Sequence, residues 1–274
     1  MRISSLSIIL AVPFLAALAV LLPLSFQREF EWLFPWLILP ITILTALYIF
    51  RPQIDYWWIQ RQKLGLDGPL IDWLEKYSTF YGSLNKEDQL LFQQRVALFL
   101  ESKDFILKAA EDHKLPEQYK LMSIHEALRI LWGKENFLFE NYDRVILYPH
   151  AFPTPDHKYL HPYEVHYSDG IILMSKPHVE NGYFNPNQYF NVSLYTWVVA
   201  HMKETKHQGY PMINATEIFQ LDDILPYPTL KISELLGERL VMSQALYAYV
   251  YFMYPEDFNK KFPSLKSQFD EVFF

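Results

Sequence analysis

A chain of 274 residues allows one large or two small domains at about 150 residues each, and a composition of 51% hydrophobic, 17% aromatic and 20% charged side chains excludes an intrinsically disordered protein. The net charge of -7 supplies no general field for a phosphate backbone, so nucleic acid is not an expected partner. Cysteine is absent, which excludes disulfides, thiolate zinc sites and a cysteine nucleophile, and leaves chemistry to His, carboxylate, hydroxyl and amine groups.

No residue from Ile3 to Gln27 is charged. Leu6 to Phe26 would make about 31 Å of helix at roughly 1.5 Å per residue, enough to span a bilayer core. After Gln27, Arg28 and Glu29 comes a second uncharged run, Trp32 to Phe50, with Trp32, Trp36 and Tyr48 near its ends, where aromatic side chains favour the interface. Pro13, Pro23, Pro35 and Pro40 kink such helices without forbidding them. The expectation is a two-helix transmembrane hairpin over residues 1–50, with spans 6–26 and 32–50 and both termini on one side. Arg2 precedes the first span and Arg51, Arg61 and Lys63 follow the second, while the connection offers Arg28 beside two glutamates. The positive-inside rule then places the protein in the inner (cytoplasmic) membrane with its soluble domain facing the cytoplasm. The alternative is a cleaved signal peptide with an Ala17-Leu18-Ala19 site. That site lies inside the apolar run, and cleavage there leaves the second run unexplained.

Residues 51–65 read as a juxtamembrane linker. Tyr56, Trp57 and Trp58 interleave with Arg51, Arg61 and Lys63, which suits either the headgroup layer or a cap on the soluble core. Gly65, Gly68 and Pro69 punctuate the chain, so the soluble domain is taken as 66–274. Asn85 predicts an N-cap, with Glu87 and Asp88 in the first turn and Phe92, Val96 and Phe99 on one face. A second helix is expected from Pro116 to Trp132, ended by Gly133. Arg144 to Tyr148 and Glu164 to Ser175 read as strands, the latter folded at Asp169-Gly170. Helices over Phe190 to Lys206 and Ser233 to Tyr254, stopped by Pro255, close the chain. The fold class is α+β, mostly helical, with a small antiparallel sheet behind the membrane hairpin.

Histidine holds most of the candidate chemistry. His157 and His161 are four apart, but Pro153, Pro155 and Pro162 make that stretch a loop, so solvated or loop-packing histidines are expected rather than a metal site. His125-Glu126 begins like H-E-x-x-H, yet position 129 is Arg, and the surrounding Leu121, Ile124, Leu128 and Leu131 indicate a structural helix. His201 and Glu204 share a helix face, but His207 lies about 240° around at roughly 100° per residue. These three hold one ion only if the helix breaks.

Five stretches stand in a telling order: Leu84 to Lys103 (LNKEDQLLFQQRVALFLESK), Val145 to Phe152 (VILYPHAF), Gly170 to Ser175 (GIILMS), Asn191 to Glu204 (NVSLYTWVVAHMKE), and Glu238 to Phe273 (ERLVMSQALYAYVYFMYPEDFNKKFPSLKSQFDEVF). This order resembles the Mlc titration factor A family of zinc-dependent peptidases, whose fold is like that of gluzincin metalloproteases. The family's zinc helix carries Asn-Val-Val, then H-E-x-A-H and Lys-Leu-Asp, and its third ligand is the Glu of a later Ser-Glu pair. Matching the Ala-His ending places Trp197 on the first histidine, Val198 on the catalytic glutamate, His201 on the second histidine and Glu204 on the aspartate. The late pair falls on Ser243 and Gln244. Matching from the Asn-Val side instead puts Tyr195, Thr196 and Val199 on the motif and also loses the site.

Zinc hydrolysis needs three protein ligands, an open position for water and a carboxylate base. The resemblance therefore implies a degenerate site of Trp197, Val198, His201, Glu204 and Gln244, with no catalytic residue, no metal ligand set and no cofactor. Joined to the two apolar spans, which lie outside the resemblance, it implies a membrane-anchored protein that binds a protein or peptide partner in the inherited cleft. That cleft is expected to be walled by the strand at Gly170 to Ser175 and by a partly exposed Trp197, with His201 and Gln244 as hydrogen-bonded neighbours. The alternative is an active membrane-bound zinc metallopeptidase with rearranged ligands.

Overall fold

The computed structural model describes residues 6–61, 64–108, 115–154, 158–237 and 242–274. The chain divides into two units, Met1–Leu64 and Gly65–Phe274.

In the first unit, the leading apolar run closes into α1 (Leu6–Ser25), which carries Pro13 and Pro23. The chain returns through a 3₁₀ stretch, Arg28–Leu37, and then α2 (Ile38–Ile49). Proline explains the change of helix type. Pro35 cannot donate to the turn before it, so regular α-helix begins only where Pro40 falls in a first turn. The windows Leu6–Ser25 and Trp32–Ile49 are long and apolar enough to cross a membrane, and only 6% and 11% of them is buried. So much exposed apolar surface suits lipid rather than water.

The expected linker is helical over most of its length, as α3 (Arg51–Gln60). Asp55 explains how it is held: its carboxylate accepts the Ser7 backbone N–H at 2.9 Å and the Ser7 hydroxyl at 2.9 Å. A carboxylate at the N-terminus of α1 satisfies a donor that has no partner within the helix and meets the positive end of its dipole. Arg51 stands 3.6 Å from the same carboxylate.

The second unit starts with α4 (Gly68–Tyr77) and α5 (Thr79–Ser83). Then comes α6 (Lys86–Ser102), where Asn85 Oδ1 accepts the Asp88 N–H at 2.9 Å and Phe92, Val96 and Phe99 are buried, as the spacing predicts. β1 (Asp104–Leu107) precedes α7 (Glu117–Ile130). β2 (Arg144–Tyr148), β3 (Tyr163–His166) and β4 (Ile171–Ser175) complete a sheet of order β1-β2-β4-β3.

The sheet expected to be antiparallel is mixed. β1, β2 and β4 run parallel, and only the β3–β4 ladder is antiparallel. The Asp169-Gly170 signal identified that one hairpin correctly, with Gly170 at φ 65°. Crossover pairings leave no such local turn signal. β4 lies inside the sheet, paired on both sides, so it is not the exposed edge expected at Gly170 to Ser175.

α8 (Lys176–Phe184) leads to α9 (Val192–Glu204). A 3₁₀ stretch, Ala215–Asp223, and α10 (Thr229–Leu236) follow. After these come α11 (Ser243–Met253), α12 (Pro255–Lys261) and α13 (Pro263–Phe273). The single helix expected over 233–254 is two, because Gly237 takes a left-handed conformation at φ 68° and caps α10. α9 is the central element: α7, α8, α11 and the β3–β4 hairpin all pack on it.

Candidate functional site

Asn191 starts α9 by accepting the Leu194 N–H at 3.0 Å through its side chain. Every residue from Val192 to Met202 is buried, so this helix has no solvent face over its first three turns. Trp197 is fully buried, with Phe139 at 4.7 Å and Phe99 at 5.5 Å between ring centroids, and its indole N–H donates to the Ser123 carbonyl. The expectation of a partly exposed cleft residue is corrected: Trp197 is core. Val198 is equally buried.

The polar residues near the end of α9 diverge. The His201 ring pairs through Nδ1 with the Tyr210 hydroxyl at 2.7 Å and is walled by Phe139 and Phe273. Burial, with the charge of Lys134, lowers its pKa to about 4. Glu204 accepts from the Asn141 side-chain amide at 2.8 Å, and burial, opposed by those Asn141 bonds, raises its pKa. The helix does break: Lys206 and His207 take φ 51° and 62°. That reversal sends His207 to Gln244, whose Oε1 accepts from Nδ1 at 3.1 Å, while Gln244 Nε2 donates to the Pro211 carbonyl at 2.8 Å. α9 and α11 pack together, yet His201 and Gln244 do not pair. Each has a nearer partner on the chain that returns between them, residues 205–211.

A second polar group, read from the sequence only as a structural helix, lies where α5, α7 and α9 meet. Glu126 is buried and ionised. Burial alone raises its pKa, but a hydrogen bond from His125 and the charges of Arg129 and His125 bring it down to about 2. His125 Nδ1 lies 3.2 Å from Glu126 Oε1. A carboxylate only accepts, so Nδ1 carries a proton towards it, and on the other side of the ring Nε2 lies 2.6 Å from the Ser78 hydroxyl. Asn191 Nδ2 adds a contact of 3.4 Å to the same carboxylate. The connectivity is that of a hydroxyl, an imidazole base and an orienting carboxylate. However, Phe80, Phe92 and Tyr183 close around the ring, and the Ser78 hydroxyl already accepts the Tyr81 N–H. Enclosure suits a structural tie. The signal available beforehand was a His-Glu pair inside an otherwise apolar helix.

On β3 and the loop before it, Glu164 stands 2.9 Å from His161 Nε2 and 2.6 Å from His166 Nε2 and accepts from Thr154. His161 is thus packed and paired rather than solvated. His157 lies outside the described residues.

Residues 55–217, more than half of the chain, match the family described as the glucose-regulated metallo-peptidase M90. The chain belongs to this family. The metallopeptidase family expected from the sequence is thereby found, and the M90 match includes α9 but ends ahead of Gln244. No curated protein matches the chain. A metallopeptidase implies a zinc ion. Of the residues that the resemblance assigns to its site, Trp197 is a core indole, Val198 is buried and apolar, and His201 and Gln244 are turned to different partners, a set that does not fit one. Among the described residues no group of three His, Asp or Glu side chains is placed to hold a metal.

Proposed function

We propose that this protein is a membrane-anchored, catalytically inactive member of the M90 metallopeptidase family that binds a protein or peptide partner through its soluble unit. The observation that carries the reading is the divergence of the polar residues on α9 and α11: His201 to Tyr210, Glu204 to Asn141, Gln244 to His207. Peptide hydrolysis by zinc needs convergent ligands and a base beside the attacking water, and a buried Val198 supplies neither. A fold that keeps its scaffold while losing its chemistry retains surface for recognition. The two apolar windows support anchorage, and the basic residues Arg2, Arg51, Arg61 and Lys63 support an inner-membrane hairpin with the soluble unit in the cytoplasm.

The test is metal analysis of the full chain purified in nanodiscs, with a peptide-cleavage assay. Zinc well below one equivalent and no cleavage are expected. Stoichiometric zinc with chelator-sensitive cleavage refutes the reading and favours the active alternative.

A further inference from the structure

A cavity of about 240 Å³ opens beside the start of α9. Phe190 and Ile232, both buried, and the half-buried Tyr227 and Leu235 line its inside, and the exposed Gln188 and Lys231 stand at its mouth. The inner wall is anchored to the fold. Phe190 stacks on Tyr249 at 4.3 Å between centroids, and the Tyr227 hydroxyl lies 3.3 Å from that of Tyr249. The Tyr249 hydroxyl in turn accepts the Asn191 N–H at 3.2 Å, at the cap of α9. Neither the Lys231 ammonium nor the Gln188 amide is engaged by another described side chain.

An apolar chamber with a cation at its mouth selects an apolar group that carries a carboxylate. At about 240 Å³, below the roughly 300 Å³ from which pockets for drug-sized molecules run, it has room for a single large side chain. A side-chain amide beside the ammonium adds a donor and an acceptor suited to a peptide unit. We propose that this cavity binds the free carboxyl terminus of a peptide or protein, with an aromatic or large aliphatic last side chain against Phe190 and Tyr227 and its carboxylate on Lys231. This rests on the binding reading above and gives it a place and a ligand class, away from the degenerate α9–α11 residues.

The experiment titrates N-acetyl-L-phenylalanine into the full chain in nanodiscs by ligand-observed NMR, with empty nanodiscs as blank. N-acetyl-L-phenylalaninamide and octanoate serve as comparison ligands. Saturable binding of the acid is expected, weakened about tenfold or more in the amide and in Lys231→Gln, as loss of a charged hydrogen-bond partner predicts. Lys231 is exposed, so the variant folds, and an unchanged unfolding temperature verifies this. Leu235→Ser should weaken acid and amide alike. No saturable binding, equal binding of acid and amide, or indifference to Lys231→Gln overturns the proposal. Octanoate binding as tightly as the acid also overturns it, by reassigning the cavity to a lipid-derived acid. Lys231-dependent binding in a preparation that also cleaves peptides with zinc would refute inactivity and leave the cavity assignment standing.

Discussion

Truncating Trp197 to alanine separates a core indole from a cleft indole. The side chain is fully buried between Phe99 and Phe139, and its N–H meets the Ser123 carbonyl. That carbonyl is not orphaned by the truncation, because the Ser193 hydroxyl also donates to it at 3.0 Å. The cost is therefore mainly lost apolar burial plus the cavity left behind, about 3–5 kcal/mol for a large aromatic. This is a large fraction of a total of about 5–15 kcal/mol. At about 2–4 °C per kcal/mol for a unit of this size, the unfolding midpoint should fall by about 6–20 °C. Circular dichroism of the full chain in nanodiscs reads the shift, and Trp197→Phe, which keeps most of the volume, should fall much less. A Trp197→Ala midpoint within about 3 °C of the parent would mean that the indole is not in the core, and would restore it as a cleft residue.

Acid should destabilise the soluble unit through His201. Its folded pKa of about 4 lies below the ordinary 6.5, so the unfolded chain takes up a proton that the folded chain refuses. The contribution is intact above pH 6.5 and lost as the pH falls towards 4, up to roughly 3 kcal/mol. His178, also lowered by burial, adds to the same limb, so the readout is the difference between parent and His201→Asn. Identical pH profiles would refute the assignment. Gly182→Ala should cost more than about 2 kcal/mol in chemical unfolding, since a Cβ there would stand 2.4 Å from the Phe190 carbonyl oxygen and 2.7 Å from the Asn191 Cα, both backbone atoms. A neutral Gly182→Ala would mean that α8 and the start of α9 are farther apart. The chain has no native cysteine, so the double variant Ser7→Cys with Asp55→Cys should form an intramolecular disulfide under mild oxidation, read by mass spectrometry. Absence of the bond would argue against α3 capping α1. A periplasm-dependent reporter fused after Phe274 should stay silent, and a strong signal would overturn the cytoplasmic assignment.

Element positions were legible wherever one local signal settled them. The uncharged runs marked α1 and the second apolar window, Asn85 capped α6, Asp169-Gly170 turned β3 into β4, and Pro255 stood where α11 gives way to α12. β1 escaped because its four residues are too few for a period to show, and its partner β2 lies beyond α7. The metallopeptidase family was readable too, from stretches standing in order along the chain, four of which lie inside the matched residues 55–217. The partner of each polar side chain was not readable. Helical spacing put His201 and Glu204 on one face and the family resemblance added Gln244 to the same site, but hydrogen bonds form with whatever donor or acceptor the chain brings within about 3 Å. Here the left-handed turn at Lys206 and His207 brought Tyr210 to His201 and His207 to Gln244. The burial of Trp197 was decided in the same way, by Phe99 and Phe139 arriving from distant parts of the chain. Apolar pattern is local and additive and can be read along the chain, whereas pairing is set by distances across the fold that no spacing along it encodes.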